Sequence, residues 1–162
     1  MKALALLTVC VLLSGGCGGL SDDGPPGLRL GHDECAECGM MINEDRCSSA
    51  LRVLQHGASD QALFDDIGCM MRYLETPPDG VEVRQVYVHN HQTRVWLKAG
   101  EATFVMAPRD RLKTPMASGI VAVDPREQAN SLAEQVGGVV LDWKGVQEAW
   151  RARNSQRPGS KP

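Results

Sequence analysis

Residues 35–41 read CAECGMM, which places the thiols of Cys35 and Cys38 and the thioethers of Met40 and Met41 side by side. The whole chain of 162 residues has only six cysteines and seven methionines. A disulfide or a zinc site uses cysteine and has no use for methionine, and a core uses methionine but gains little from crowded thiols. Thiolate and thioether are both polarizable donors that select Cu(I) over hard cations, and thioether is a poor ligand for Zn²⁺. A C-x-x-C pair alone is shared by zinc, redox and copper sites. The Gly39-Met40 that follows narrows the choice, because glycine lets the backbone turn tightly enough for Cys38 and Met40 to face one point.

A distant sulfur is available in KTPMASG, where Pro115 and Gly119 bracket Met116 and place it on a loop. Alone, Met116 reads as a gap-filler in a core; beside the first motif it becomes a candidate ligand. Met106, in ATFVMA, reads as a core strand residue, and Met70 and Met71 belong to the apolar stripe of a helix. Cys69 lies two residues after Ile67, about 200° around that helix and away from the stripe. It is either an exposed-side cysteine or it points at Cys35 or at a metal. Cys47 follows Arg46 at a strand entrance and suits a structural or disulfide role. His89 and His91 would share one face of a strand and could bind Cu or Zn, but read more simply as a solvated strand end. His32 stands three residues before Cys35.

Other chemistries fit less well. A thioredoxin-like C-x-x-C opens a helix, whereas CAECGMMINED precedes one. A zinc ribbon needs a second knuckle that the chain lacks. G-x-S-x-G, P-loop and G-x-G-x-x-G motifs are all missing from the sequence. Asp65 and Asp66 are better explained as helix caps than as catalytic acids.

The elements that must carry these side chains can be read from period and punctuation. In VDPREQANSLAEQVGG, Asp124 suits the N-cap, Pro125 the first turn and Glu127 a capping-box position. Ala129, Leu132, Ala133 and Val136 make one apolar face, and Gly137 suits a left-handed stop. FDDIGCMMRYLETPPDG repeats the pattern with Ile67, Met70, Met71 and Leu74, capped by Asp65 or Asp66. Strand-like SALRVLQHG and QALF precede that first helix; TRVWLKAG, EATFVMA and SGIVAV precede the other. VEVRQVYVHNHQ reads as a further strand, and GVVL with a helix from Trp143 to Ala152 ends the fold. The expectation is an α+β fold of two similar small αβ units, about 35–80 and 81–152, each an antiparallel sheet with a packed helix.

The ends and the charge set the context. A formal charge of −3 excludes a strongly basic nucleic-acid binder, and the Lys and Arg residues form no polybasic membrane patch. Hydrophobic and charged contents of 43% and 23% are ordinary for a globular protein. Lys2 followed by ALALLTVCVLL has the form of a secretory signal and is too short to span a bilayer. SGGC resembles a lipobox, with Ser14 where leucine is usual and Leu13 one place earlier; Cys17 would then be lipidated as the first mature residue. An ordinary signal peptide cut nearby is the other reading. Residues 1–16 are thus expected to be a signal, 17–34 a flexible lipoprotein tether, 35–152 the folded domain and 153–162 a structureless tail. Cys35, Cys38, Cys47 and Cys69 remain, an even number that an exported protein could pair in three ways.

CAECGMMI, ALFDDIGCMMRYLE, EATFVMA, TPMASGIVAV and AEQVGGVVLDW stand in the order seen in NosL-type lipoproteins, which the chain resembles over about residues 32 to 150. The C-x-x-C-G-M start and the late P-M-x-x-G-I segment are the specific pieces. The resemblance implies a periplasm-facing, lipid-anchored Cu(I) chaperone, not an enzyme, that passes copper to the membrane-associated assembly machinery of nitrous oxide reductase. It also implies a fold of two similar αβ units, like part of organomercurial lyase. The recurring ligand cysteine of the family maps to Cys38, with Met40 after it, and the late methionine maps to Met116. Where family members often have Gly on both sides of that methionine, this chain has Pro115 and Ala117. Cys35 and Cys69 join Cys38, Met40 and Met116 as candidate metal ligands. A thiol oxidoreductase or lyase using Cys35, Cys38 and Cys69, and a structural zinc module, are the alternatives.

Overall fold

A computed structural model describes residues 24–155. Strand β1 (Ser49–Gln55) and strand β2 (Ala58–Phe64) are joined by His56 and Gly57 alone. Both linking residues have positive φ, +50° and +84°, the backbone that a two-residue hairpin of matching twist requires. β1 is largely buried because it is central: β3 (Val81–His89) pairs antiparallel with its other edge, and β4 (Trp96–Lys98) pairs with β3. The first sheet therefore has the order β2-β1-β3-β4.

Directly after β2, the extended backbone of Asp66 turns its side chain onto the Gly68 N–H at 2.7 Å and starts helix α1 (Ile67–Glu75). Ile67, Met70 and Met71 of the apolar stripe are buried and Leu74 packs against them, as the spacing predicts.

The second sheet has β5 (Thr103–Met106) at its centre, between β6 (Ile120–Val123) and β7 (Val139–Leu141), all antiparallel. Helices α2 (Arg126–Val136) and α3 (Trp143–Ser155) complete the described fold. TFVM and IVAV are buried throughout because both faces of this sheet are covered. Phe104, Met106, Ile120 and Ala122 face the main core with Ile67, Met70 and Trp150. Val105, Val121 and Val123, one residue out of step, face Ala129 and Ala133 of α2. A parallel bridge between Asn90 and Ala122 ties the sheets together, with the His91 N–H donating to the Ala122 carbonyl at 2.8 Å.

The chain is thus α+β, two antiparallel sheets each with a packed helix, as the sequence predicts. Three details differ. β3 and β4, the latter grouped by sequence with the second helix, hydrogen-bond into the first sheet, so the sheets divide after Lys98 rather than near residue 80. The long register of β3 along β1 decides this, and a local pattern carries no record of partner choice. Asp124 does not cap α2: Pro125 occupies the cap position, and the Asp124 carbonyl instead accepts from Asn90 Nδ2 at 2.9 Å. Gly137 does end that helix, in the left-handed conformation. His89 and His91 are not a solvated strand end. His89 is buried, stacked on Trp96 at 3.5 Å and bonded to Ser48, and burial pulls its imidazole down to about 4.

Gly119 fixes the path between the 114–118 loop and β6. Its φ is +65°, and a Cβ there would stand 2.5 Å from the Ala107 carbonyl oxygen, a backbone atom that cannot move aside alone. Gly119→Ala is expected to lower the unfolding free energy by roughly 1–3 kcal/mol. Gly100→Ala, whose Cβ would meet nothing within 4 Å, should be near neutral. Urea denaturation of the two variants checks this, and equal midpoints would refute it.

Candidate metal centre

The CAECGMM segment folds back on itself. The Cys35 N–H donates to the Met40 carbonyl and the Gly39 N–H to the Cys35 carbonyl, both at 2.8 Å, while Glu34 and Met41 form an antiparallel bridge. Gly39 takes φ +72°, the left-handed turn read from the sequence. The Ala36 N–H bonds the Leu63 carbonyl at 2.8 Å, and buried Ile42 anchors the far side. The loop is thereby pinned over the junction of β2 and α1.

That junction supplies the other groups. Donor atoms of Cys35, Cys38, Asp65 and Cys69 all lie within 4.8 Å of one another. Cys69 is wholly buried, so of its two readings the one aimed at Cys35 holds: the 35–41 loop covers the side of α1 opposite its apolar stripe. Cys35 is 2% exposed, Asp65 5%, and Cys38 stands half-buried at the edge, its Sγ 4.0 Å from Asp65 Oδ2. Asp65 Oδ1 is buried without a hydrogen-bond partner. An uncommitted carboxylate oxygen inside a thiol cluster is unusual in a folded protein, where buried polar atoms nearly always pair.

The thiols differ in charge state. The Cys69 thiol donates to Cys35 and, against the opposing effect of burial, backbone N–H groups of Asp65, Cys38 and Glu37 add to it, holding Cys35 as a thiolate down to about 4. The same bond to Cys35, together with burial, keeps Cys69 protonated. Burial also raises Cys38. Burial and the Cys35 thiolate push the Asp65 carboxyl up to about 6. Arg72 Nη2 lies 3.0 Å from Cys69 Sγ, and Arg72 Nε also reaches Glu37 at 3.3 Å.

The third segment arrives from far along the chain. Asp66 Oδ2 accepts from Thr114 Oγ1 at 2.6 Å, from the Met116 N–H at 2.9 Å and from the Ser118 N–H at 3.4 Å. Arg153 of α3 donates to the Ser118 carbonyl at 2.6 Å. One buried carboxyl thus caps α1 and latches the loop that carries Met116. Met40, Met41 and Met116 line one cleft of about 390 Å³ with Pro115, Glu44 and Asp65, and Asp65 is common to the cleft and the thiol cluster.

Cys35, Cys38 and Cys69 are therefore brought together, and Met40 and Met116 line one cleft beside them. None of the four described cysteines is in a disulfide. Cys47 stands apart, buried 3.8 Å from His91 Nδ1, its thiol pushed up to about 12 by burial. His32 is exposed, and neither it nor His89 and His91 joins the cluster. Cys17 lies outside the described residues. Sequence reasoning missed Asp65, taken for a cap. Its i, i+4 spacing to Cys69 was the available signal, since only one of the adjacent aspartates is needed to cap α1. It also gave Met41 no role of its own.

Three sulfurs and one oxygen in this space can hold a soft monovalent ion or a tetrahedral divalent one. The crystal structure of the copper chaperone NosL from Shewanella denitrificans is similar to this chain, with a TM-score of 0.63 and 21% identity over 77% of this chain and 99% of that chain. At that identity the likeness speaks for the fold. No curated protein matches. The NosL family model matches residues 30–151, three segments of the metal centre included, and the chain belongs to the NosL family.

Proposed function

We propose that this protein is a Cu(I) chaperone of the cell envelope, which holds the ion in the Cys35, Cys38 and Cys69 cluster and releases it by ligand exchange through Met40 and Met116. The observation that carries the reading is the packing of three thiols and a carboxylate oxygen of Asp65 within 4.8 Å of one another, beside a thioether-lined cleft. Thiolate supplies charge and most of the affinity, while neutral thioethers at the rim are weaker donors that an acceptor can displace. The copper chaperone among its structural likenesses supports the choice of metal. The proposed acceptor is the assembly machinery of nitrous oxide reductase, and the proposed anchor a lipid on Cys17; both rest on the family resemblance of the sequence.

One observation favours a second reading. A Cys35 thiolate held at about 4 is what a thiol oxidoreductase or lyase would use. At 2% exposure, however, that sulfur is closed to a bulky substrate and open to an ion. A structural zinc module would share the thiols and leave the methionines idle. Anaerobic protein offered Cu(I) and Zn²⁺ in competition should take Cu(I) and show a thiolate-to-copper charge-transfer band in the ultraviolet. Preferential retention of Zn²⁺ with unfolding on chelation, or turnover of a disulfide substrate, would overturn the copper reading.

A further inference from the structure

Arg72 is the basic side chain that the fold brings to the thiol cluster. Its Nη2 donates to Cys69 Sγ at 3.0 Å, and its Nε donates to Glu37 Oε1 at 3.3 Å. The first contact follows from helix geometry, since residues three apart on α1 are neighbours on one face. The second ties α1 to the middle of the C-x-x-C loop, because Glu37 stands between Cys35 and Cys38. A plain structural account covers part of this. A cation suits the last turn of a helix, and an ion pair whose side chains are 36% and 28% exposed contributes little to stability. That account leaves the contact with sulfur unexplained. A guanidinium that served Glu37 alone would offer it two parallel N–H bonds; here Nε goes to the carboxylate and Nη2 to a buried sulfur.

Charge decides what this contact can do. With the same donors around it, bound Cu(I) leaves the cluster one unit more negative than bound Zn²⁺. A positive charge beside a donor sulfur stabilises the more negative complex by more. The unloaded protein is common to both equilibria, so the difference falls on the ratio of the two affinities. We propose that Arg72 is a positioning residue that sets the metal preference of the cluster: held by Glu37, its guanidinium bonds Cys69 and favours a monovalent ion over a divalent one. This inference rests on the copper reading above and adds to it a source of selectivity that lies outside the ligands. Glu37 and solvent both weaken the field, which limits the expected effect to about tenfold.

Anaerobic competition of the full-length protein for Cu(I), Ag(I) and Zn²⁺ tests this with two variants. Arg72→Gln removes the charge and keeps both a donor and a good helix former. It should lower the Cu(I)-to-Zn²⁺ affinity ratio by about tenfold, the factor given by 1.4 kcal/mol, and the Ag(I)-to-Zn²⁺ ratio with it. Arg72→Lys keeps the charge and should retain most of both ratios, although an ammonium lacks the planar fork that bridges sulfur and carboxylate. An equal loss of affinity for all three ions in Arg72→Gln would mark a purely structural role and overturn the proposal, as would an unchanged ratio. Either of those results leaves the copper reading standing. A native protein that takes up no Cu(I) would remove that reading and the role of Arg72 together.

Discussion

Cys35→Ser is expected to abolish tight Cu(I) binding and to leave the protein folded. Serine fills nearly the same volume, and Cys35 donates no side-chain hydrogen bond on which the loop depends; its N–H and C=O make the structural bonds. What the substitution removes is the one sulfur already ionised in the cluster. Structural metal sites with four ligands bind with about 10–16 kcal/mol, so one charged ligand accounts for roughly 3 kcal/mol and its loss should weaken binding by at least about a hundredfold. Cys38→Ser should have an effect of similar size, because Cys38 is the sulfur at the open edge of the cluster. Met116→Leu removes a neutral donor and should cost only about tenfold. Competition with a Cu(I) chelator ranks the three, and native affinity in both cysteine variants would remove the thiolate reading. The pH dependence has a definite sign. Cys38 and Cys69 are held above the usual thiol range and must release protons to coordinate, so affinity should rise with pH through the neutral range. Cys35, ionised above about 4, adds nothing to that slope.

The second large effect is expected at Asp66, which touches no sulfur. Asp66→Ala removes the cap of α1 and leaves the buried Ser118 N–H and the half-buried Thr114 and Met116 donors without their acceptor. A lost cap alone costs about 1 kcal/mol, the buried Ser118 N–H left unpaired adds about 1–3, and the half-buried Thr114 and Met116 donors, which water can reach, add little. A loss of roughly 2–4 kcal/mol in unfolding free energy is the expected result by urea denaturation. Asp66→Asn separates the two roles. Asparagine is a good N-cap, so α1 should start normally, but its amide N–H₂ cannot accept from the loop where Oδ2 does now. The Asn variant should therefore recover only the share of the cap, about 1 kcal/mol of what Asp66→Ala loses, and lose Cu(I) affinity to the extent that Met116→Leu does. Native stability in both variants would show that the latch is not the link between helix and loop.

The two predictions differ in how far the sequence alone would have led to them. The turn at 35–41 was legible because glycine and close spacing encode it locally: Cys38, Gly39 and Met40 are consecutive neighbours, and the left-handed Gly39 is where the pattern places it. The apolar stripe of α1 was legible for the same reason, since its period records one buried face. That record is incomplete when a helix is covered on both sides. Cys69, off the stripe, is as buried as Ile67, because the covering loop comes from a segment some thirty residues earlier and leaves no period on the helix. Asp65 and Asp66 were indistinguishable as neighbours; their roles separated only when one met the 114–118 loop and the other met three thiols.

Sequence by itself determined the types of donor atom, the α+β class and the local turns that present each sulfur, because these depend on residues within a few positions of one another. Tertiary structure alone decided which sulfurs share one space, which of them is charged, and that a single carboxyl holds Met116 beside them. Those outcomes depend on burial and on contacts between the 35–41, 65–69 and 114–118 segments, and distance in space between remote segments is written in no local pattern.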